Sequence, residues 1–339
     1  MKASLHSCGT EMERPPADSA FSLERSEDRL LWIFGSSRSG STWLLRMLSE
    51  LEGAVPIDDP HLGHHLGVWR PIPLAWAAAN ADPELTILNE IKREKPSYFF
   101  SDRYRDVWGP ALRELIVARF DAQAHDARIP AGANPLVIVK EPGSHIADLL
   151  MSLFRRSRMI FLLRDGRDVV DSWLAAHRSG AWALDEGAFP VAPQGREALI
   201  RWQSSVWSYR TGVVLRAYRD HDPSRRVLVR YEDLLADPAG ELERICGTFE
   251  IAAPAPRLRE IAATHKYESV PSNEKGESKE IRSADPGGWQ EHLSAAEQQA
   301  MYEVMGETLA DVGYLPGSGG SSRDSSTCPS SSPSRSPQR

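Results

Sequence analysis

The chain alternates short, continuous apolar runs with longer stretches in which apolar residues return every three or four positions. The runs at 30–35 (LLWIFG), 136–140 (LVIVK), 159–163 (MIFLL) and 227–231 (VLVRY) have strand length and no polar face, the pattern of strands buried on both sides. A small polar turn, SSRSGST, follows the first run. After it comes TWLLRMLSEL, where Trp43, Leu44, Met47, Leu48 and Leu51 fall at helical spacing. Further helical patterns begin near His145 and Arg167, occupy 196–218, and run through 239–249, 255–264 and 294–312. Strands alternating with helices predict an α/β fold, a single three-layer domain whose central parallel sheet is flanked by helices. Ligands of such a sheet belong beyond the carboxyl ends of its strands.

Both ends of the chain lack this pattern. Residues 1–28 are polar, charged and proline-containing, and 316–339 are rich in serine and proline. Neither has enough apolar surface to offset the entropy of ordering, so a disordered leader and a disordered tail are expected around one domain spanning 29–315. At 339 residues and 41% hydrophobic composition the chain can bury a sizeable core. Forty Lys and Arg against 47 Asp and Glu, a net charge of −7, speak against a general nucleic-acid coat. No apolar run reaches the roughly 18 residues of a membrane span, and the N-terminal segment lacks the apolar core of a signal peptide; a cytoplasmic protein is expected. Cys8, Cys246 and Cys328 are too scattered for a disulfide framework or a zinc site. His61, His64 and His65 have spacings that would suit a metal on a helical face, but Gly63 and Gly67 argue against a helix there, and no metal is expected.

Two segments carry candidate chemistry. Residues 35–42 (GSSRSGST) keep the glycine spacing and terminal hydroxyl of a Walker loop, so the expected domain is of P-loop type, but Ser41 stands where the lysine belongs. That lysine handles the β and γ phosphates of a triphosphate. Without it the backbone N–H groups still converge on one phosphate at a helix N-terminus, and Arg38 adds positive charge from another position. In the second segment, 159–173 (MIFLLRDGRDVVDSW), an apolar strand ends in Arg164, a DG turn follows, and Ser172 lies in the next helix. This spacing lets a guanidinium and a hydroxyl converge on one anion. Equally open from the residues alone is that Arg167 and Asp168 decorate a helix start while Arg164 pairs with a carboxylate.

Together these segments resemble the sulfotransferases that use 3′-phosphoadenosine 5′-phosphosulfate (PAPS). SSRSGSTW is similar to that family's 5′-phosphosulfate loop, and Arg164 and Ser172 in RDGRDVVDSW are similar to its 3′-phosphate site. VRYEDL, around Tyr231, resembles the strand and tyrosine beside the adenine. RSADPGGW keeps the Arg282-to-Trp289 spacing of a late loop that returns to the 3′-phosphate, although Ser283 and Ala284 replace the usual Lys-Gly. The resemblance implies PAPS as donor, adenosine 3′,5′-bisphosphate (PAP) as product, and a small-molecule or carbohydrate acceptor. It also implies that Arg38, Ser39, Gly40, Ser41 and Thr42 bind the 5′-phosphate, that Trp43 and Tyr231 meet the adenine, and that Arg164, Ser172 and Arg282 bind the 3′-phosphate.

Sulfuryl transfer needs an acceptor held in line, a base, and positive charge on the leaving phosphate oxygen. Arg38 and Lys140, which ends the run LVIVK, are the expected cations. Cytosolic members take their base from a histidine two residues after the lysine, but here that residue is Pro142. Lys140-Glu-Pro is more similar to the tyrosylprotein and Golgi carbohydrate branch, whose base is a carboxylate between the first helix and the lysine. Asp59 is therefore the expected base, with His65 second and Glu141 or His145 behind. The aromatic residues Trp69, Trp76, Tyr98, Phe99, Phe100, Tyr104 and Trp108 are expected to line an acceptor pocket or to pack a core or lid. Residues 266–286 are expected to cap the nucleotide. The alternatives are a P-loop small-molecule kinase, disfavoured by the absent Walker lysine, and a non-catalytic nucleotide-binding protein.

Overall fold

The computed structural model describes residues 21–66, 94–127, 134–178, 180–181, 195–269, 271–272, 275–276 and 286–315. Among these, five parallel strands form one sheet: β1 (Leu30–Phe34), β2 (Ala54–Asp58), β3 (Leu136–Glu141), β4 (Arg158–Leu163) and β5 (Arg226–Arg230), in the order β2-β3-β1-β4-β5. The first strand is thus central; the chain leaves it toward β2 on one side and leaves its neighbour β4 toward β5 on the other. That arrangement opens a crevice above the carboxyl end of β1.

All five residues of β1 are buried. Alternation sends Leu30, Trp32 and Phe34 into one apolar cluster and Leu31 and Ile33 into the other. The first face is covered by α3 (Arg105–Asp126), α4 (Ala147–Leu153), α5 (Gly166–Ala176), α6 (Arg196–Asp220), α10 (Trp289–His292) and α11 (Ala295–Asp311). The second is covered by α1 (Ser41–Ser49), α7 (Tyr231–Ala236), α8 (Pro238–Thr248) and α9 (Ala255–Thr264). The three-layer α/β architecture expected from the sequence is present, and its predicted strands and amphipathic helices fall within a few residues of their expected places.

Four features differ from expectation. Strand β2 was not legible as a strand: it pairs only with β3 among the described residues, it contains Pro56, and its burial alternates, as edge strands allow. Tyr231 does not end a strand but is the first residue of α7. A short helix, α2 (Leu62–Leu66), forms despite Gly63. Finally, the expected leader is packed from Phe21 onward. Leu23 is 0% exposed, its N–H donates to Asp121 of α3, and Glu27 accepts from Arg113 at 2.7 Å. Here a single apolar side chain among polar neighbours docks on a helix too far along the chain to register in local periodicity.

Helix α3 itself carries Gly109 and Pro110 in its N-terminal part and was read only as aromatic-rich sequence. Its Trp108 packs on Phe100, with ring centroids 5.4 Å apart, and donates its indole N–H to Ser101 O. Phe100 in turn meets Tyr98 and Phe99, while Phe99 and Tyr104 remain exposed. Trp69 and Trp76 lie outside the described residues. Among those described, no helix is long and apolar enough to cross a membrane.

Candidate active site

The turn between β1 and α1 is shaped by two left-handed residues, Arg38 at φ 71° and Gly40 at φ 87°. Gly40 also has no room for a side chain, since a Cβ there would lie 2.7 Å from the Tyr231 ring. The N-terminus of α1 has no side-chain cap and no acidic residue in its first turn. Its leading N–H groups and its dipole are therefore left for an external anion. By contrast α5 is closed at the same end: Asp165 accepts from Arg167 N and pairs with the Arg167 guanidinium at 2.6 Å. Two strand-to-helix turns of the same sheet thus end differently, one sealed by its own carboxylate and one open.

Arg164 follows β4 directly and reaches across to the glycine turn. Its Nη1 donates to Arg38 O at 2.9 Å, and its guanidinium lies 4.3 Å from the centre of the Tyr231 ring. Arg38 crosses in the other direction, Nε donating to Ser172 Oγ at 3.1 Å. Guanidinium groups from two separate turns are therefore interlocked over one crevice, with the Ser172 hydroxyl on that of Arg38. Two buried polar atoms in this cluster, Ser39 Oγ and Arg164 Nε, have no hydrogen-bond partner. Such atoms carry a desolvation cost that a bound oxyanion would relieve.

Trp43 packs on Tyr231, their rings edge to face at 6.2 Å. Its indole N–H donates to His265 O at 2.7 Å, and the His265 ring is held by Glu50 at 2.5 Å. A cleft of about 530 Å³ opens beside it, walled by Ala239, Ala262, Lys266 and Tyr267. Burial pushes the Tyr231 phenol above its ordinary pKa, so it stays neutral at physiological pH.

On the opposite flank, Lys140 shares its face of β3 with Leu136 and Ile138, which turns its ammonium toward α1. It lies 2.8 Å from Thr42 Oγ1, 2.7 Å from Asp58 Oδ1 and 3.0 Å from Asp59 Oδ2. The register explains the first carboxylate, because Asp58 is the strand partner of Lys140. Asp59 sits one residue past the strand at φ 48°, and its second oxygen, Oδ1, is buried without a partner.

A family model described as the sulfotransferase family matches residues 31–255, a span that includes both turns, Lys140 and Tyr231. The chain belongs to the sulfotransferase family. It is therefore an enzyme, one of a class that transfers sulfuryl groups. Its fold is shared with a mouse sulfotransferase complexed with PAP, at a TM-score of 0.51 and 12% identity over 83% of this chain and 85% of that one. A sulfotransferase from Mycobacterium avium aligns at 0.46 and 17% identity, covering 84% of this chain and 76% of that one. Retinol dehydratase in a complex with retinol and PAP aligns at 0.44 and 14%, covering 84% and 82%. None of the curated proteins matches the chain in sequence.

In this sulfotransferase the residues expected at the site fall into three groups. Arg38, Ser39, Gly40, Ser41, Thr42, Arg164, Ser172, Tyr231 and Trp43 are gathered around the open end of α1. Lys140 and Asp59 meet on its other side. His65 stays exposed on α2, and it is His64 that packs against His145, with ring centroids 5.8 Å apart. Arg282 lies outside the described residues. The loop that follows it is nonetheless anchored nearby: Gly287 N donates to Asp168 Oδ2 at 2.9 Å, and His292 meets Asp171 at 2.9 Å.

The two reserve candidates for the base are buried instead of presented to a substrate. Glu141 is 1% exposed and accepts three backbone N–H groups, and His145 is 2% exposed with Nε2 on Gly63 O. Burial lowers the His145 pKa to about 3, with the Arg210 charge adding to the effect, so the ring is neutral. Asp58 and Arg210 were not singled out from the sequence. Arg210 projects from α6 to donate to Ser37 Oγ at 3.0 Å, bracing the glycine turn from below. The signal that would have found Asp58 is a strand ending in a carboxylate next to one ending in lysine. Among the described residues no group of three or more His, Cys, Asp or Glu side chains is placed to hold a metal ion.

Proposed function

We propose that the domain spanning 29–315 transfers a sulfuryl group from PAPS to a hydroxyl or amine of a small-molecule or carbohydrate acceptor in the cytoplasm, in line and without a metal, releasing PAP. The observation that carries this reading is the hydrogen bond from Arg164 to Arg38 O, which places two cationic turns over one crevice. The uncapped end of α1 and the two orphaned polar atoms beside it fit a doubly phosphorylated ligand. When bound, the nucleotide supplies the sulfuryl group and a phosphate as leaving group.

The chain's own residues then have these parts. The N–H groups of Ser39 to Thr42 and the Arg38 guanidinium hold the 5′-phosphate, and Arg164, Ser172 and Arg282 hold the 3′-phosphate. Trp43, fixed by His265 O, and Tyr231 flank the adenine. Lys140 sets positive charge behind Thr42 and anchors one oxygen of Asp59. Asp59 takes the acceptor proton on its unpartnered oxygen, Oδ1, as the acceptor's S–O bond forms and the bond from sulfur to the 5′-phosphate oxygen breaks. The cap expected at 266–286 lies mostly outside the described residues.

Calorimetric titration tests the reading. PAP is expected to bind one to one and ATP with magnesium to bind far more weakly. Equal affinity for the two, or tighter binding of ATP, overturns it.

A further inference from the structure

Glu141 ends β3 next to Lys140, but strand alternation turns it to the opposite face of the sheet. Its Oε2 accepts from Leu62 N at 2.9 Å, and its Oε1 from Gly63 N at 3.2 Å and Gly143 N at 2.6 Å. Leu62 and Gly63 are the first two residues of α2, so this carboxylate caps that helix from another element. The junction has no slack: a Cβ on Gly63 would lie 2.0 Å from Gly143 O, and His145 Nε2 binds Gly63 O at 2.8 Å. This explains why a helix forms where the glycine argued against one.

Only Asp59, Pro60 and His61 connect the end of β2 to the start of α2. Two of these three are left-handed non-glycine residues, Asp59 at φ 48° and His61 at φ 55°. Residues of this kind persist only where the surroundings over-determine them. Here the linker is held at both ends, by the register of Asp58 on Lys140 and by Glu141 on Leu62 and Gly63. A third tie, Asp59 N donating to Lys140 O at 3.2 Å, lies between them.

We infer that Glu141 is a positioning residue for sulfuryl transfer: by anchoring α2 it holds the 59–61 linker so that Asp59 rests on Lys140 through Oδ2 and keeps Oδ1 unpartnered for the acceptor proton. The inference rests on the reading of Asp59 as the base. It assigns Glu141 no contact with substrate.

The test is a double-mutant cycle in the full chain, with turnover measured on the best acceptor from a panel of phenols, sugars and amines, and PAP affinity measured by calorimetry. Glu141→Gln places an amide NH₂ where an acceptor is needed. It is expected to lower kcat roughly 10- to 100-fold, the effect of misplacing a reacting group by about 1 Å, with PAP affinity nearly unchanged. Added to Asp59→Asn it is expected to cost nothing further, because both act through one group. Should E141Q fail to fold, Gly63→Ala prises the same junction apart while leaving the carboxylate in the chain and has the same expected pattern. Multiplied losses in the double variant, unchanged turnover in E141Q, or loss of PAP binding in a folded E141Q each overturn the inference alone. Unchanged turnover in D59N removes the base assignment, and this inference with it.

Discussion

The two flanks of the glycine turn are built on different principles. On the β4–β5 side the site is cationic and aromatic: Arg164, Arg38, Tyr231 and Trp43 interlock through a carbonyl, a hydroxyl and edge-to-face rings, in ordinary backbone apart from the turn itself. On the β2–β3 side it is acidic: Asp58 and Asp59 crowd one lysine, a third carboxylate is buried behind them, and the connecting backbone is left-handed at two of three residues. The first flank suits holding a polyanion, which needs charge and surface. The second suits chemistry on one proton, which needs a single oxygen held where relaxed chain would not place it. Binding and turnover are thus expected to separate along the sheet, and mutations can be ranked by how sharply they test that separation.

The largest effect is expected on the acidic flank. Asp59→Asn removes the proposed proton acceptor and is expected to lower kcat by roughly 10²- to 10⁴-fold, the usual worth of a general base, while PAP titrates as in the wild type. A parallel loss of PAP affinity would merge the two flanks into one. On the cationic flank the pattern reverses. Arg164→Ala is expected to weaken PAP binding by roughly 10- to 150-fold, the worth of a charge-assisted hydrogen bond, with kcat at saturating PAPS far less affected. Trp43→Leu has a similar or smaller expected effect, the loss of about 1–3 kcal/mol of base stacking, read in the same titration. The smallest effect concerns the anchor behind Arg164. Tyr314 donates to Glu232 Oε2 at 2.7 Å, and Glu232 Oε1 accepts from Asp165 N at 3.1 Å. Tyr314→Phe is expected to lower stability by about 1 kcal/mol, seen as a shift in the denaturant midpoint, with turnover intact.

The acidic flank also has a pH signature. The buried His145 keeps its pKa near 3 in the fold, whereas an unfolded histidine titrates near its ordinary 6.5. Between those values the unfolded chain binds the extra proton. Its contribution is therefore complete above about pH 6.5 and is lost as pH falls toward 3, by at most about 1.4 kcal/mol per pH unit. Denaturant titrations at pH 7 and pH 5 check this, and His145→Gln is expected to reduce the difference, the remainder coming from His64, whose pKa burial lowers to about 4, and from His221, which burial also lowers.

Legibility from sequence differs between the flanks for a physical reason. Arg164 and Ser172 are eight residues apart on one strand, turn and helix, so their convergence follows from local geometry, and the contact with the glycine turn follows from adjacent parallel strands. Strands β1, β3 and β4 are buried on both faces and read as continuous apolar runs. The acidic flank is assembled from an edge strand broken by Pro56, whose weak alternation gives no such run. Lys140 falls one residue from the end of β3, close to its expected place, because its own strand lies inside the sheet and reads as an apolar run. Its pairing with Asp58 depends on the unread β2. Glu141 looked like a spare carboxylate for catalysis because nothing local shows that its oxygens are taken by Leu62, Gly63 and Gly143, two of them 78 residues or more away. The docking of Leu23 on α3 was hidden in the same way, by a contact 98 residues distant.

The central claim is that two cationic turns grip opposite ends of one nucleotide, and the 3′-phosphate isolates it. Wild-type protein titrated with PAP and with adenosine 5′-monophosphate, which lacks that phosphate, should bind PAP roughly 10- to 150-fold tighter, and Arg164→Ala should erase most of the gap. Equal affinity for the two nucleotides in the wild type would contradict the account.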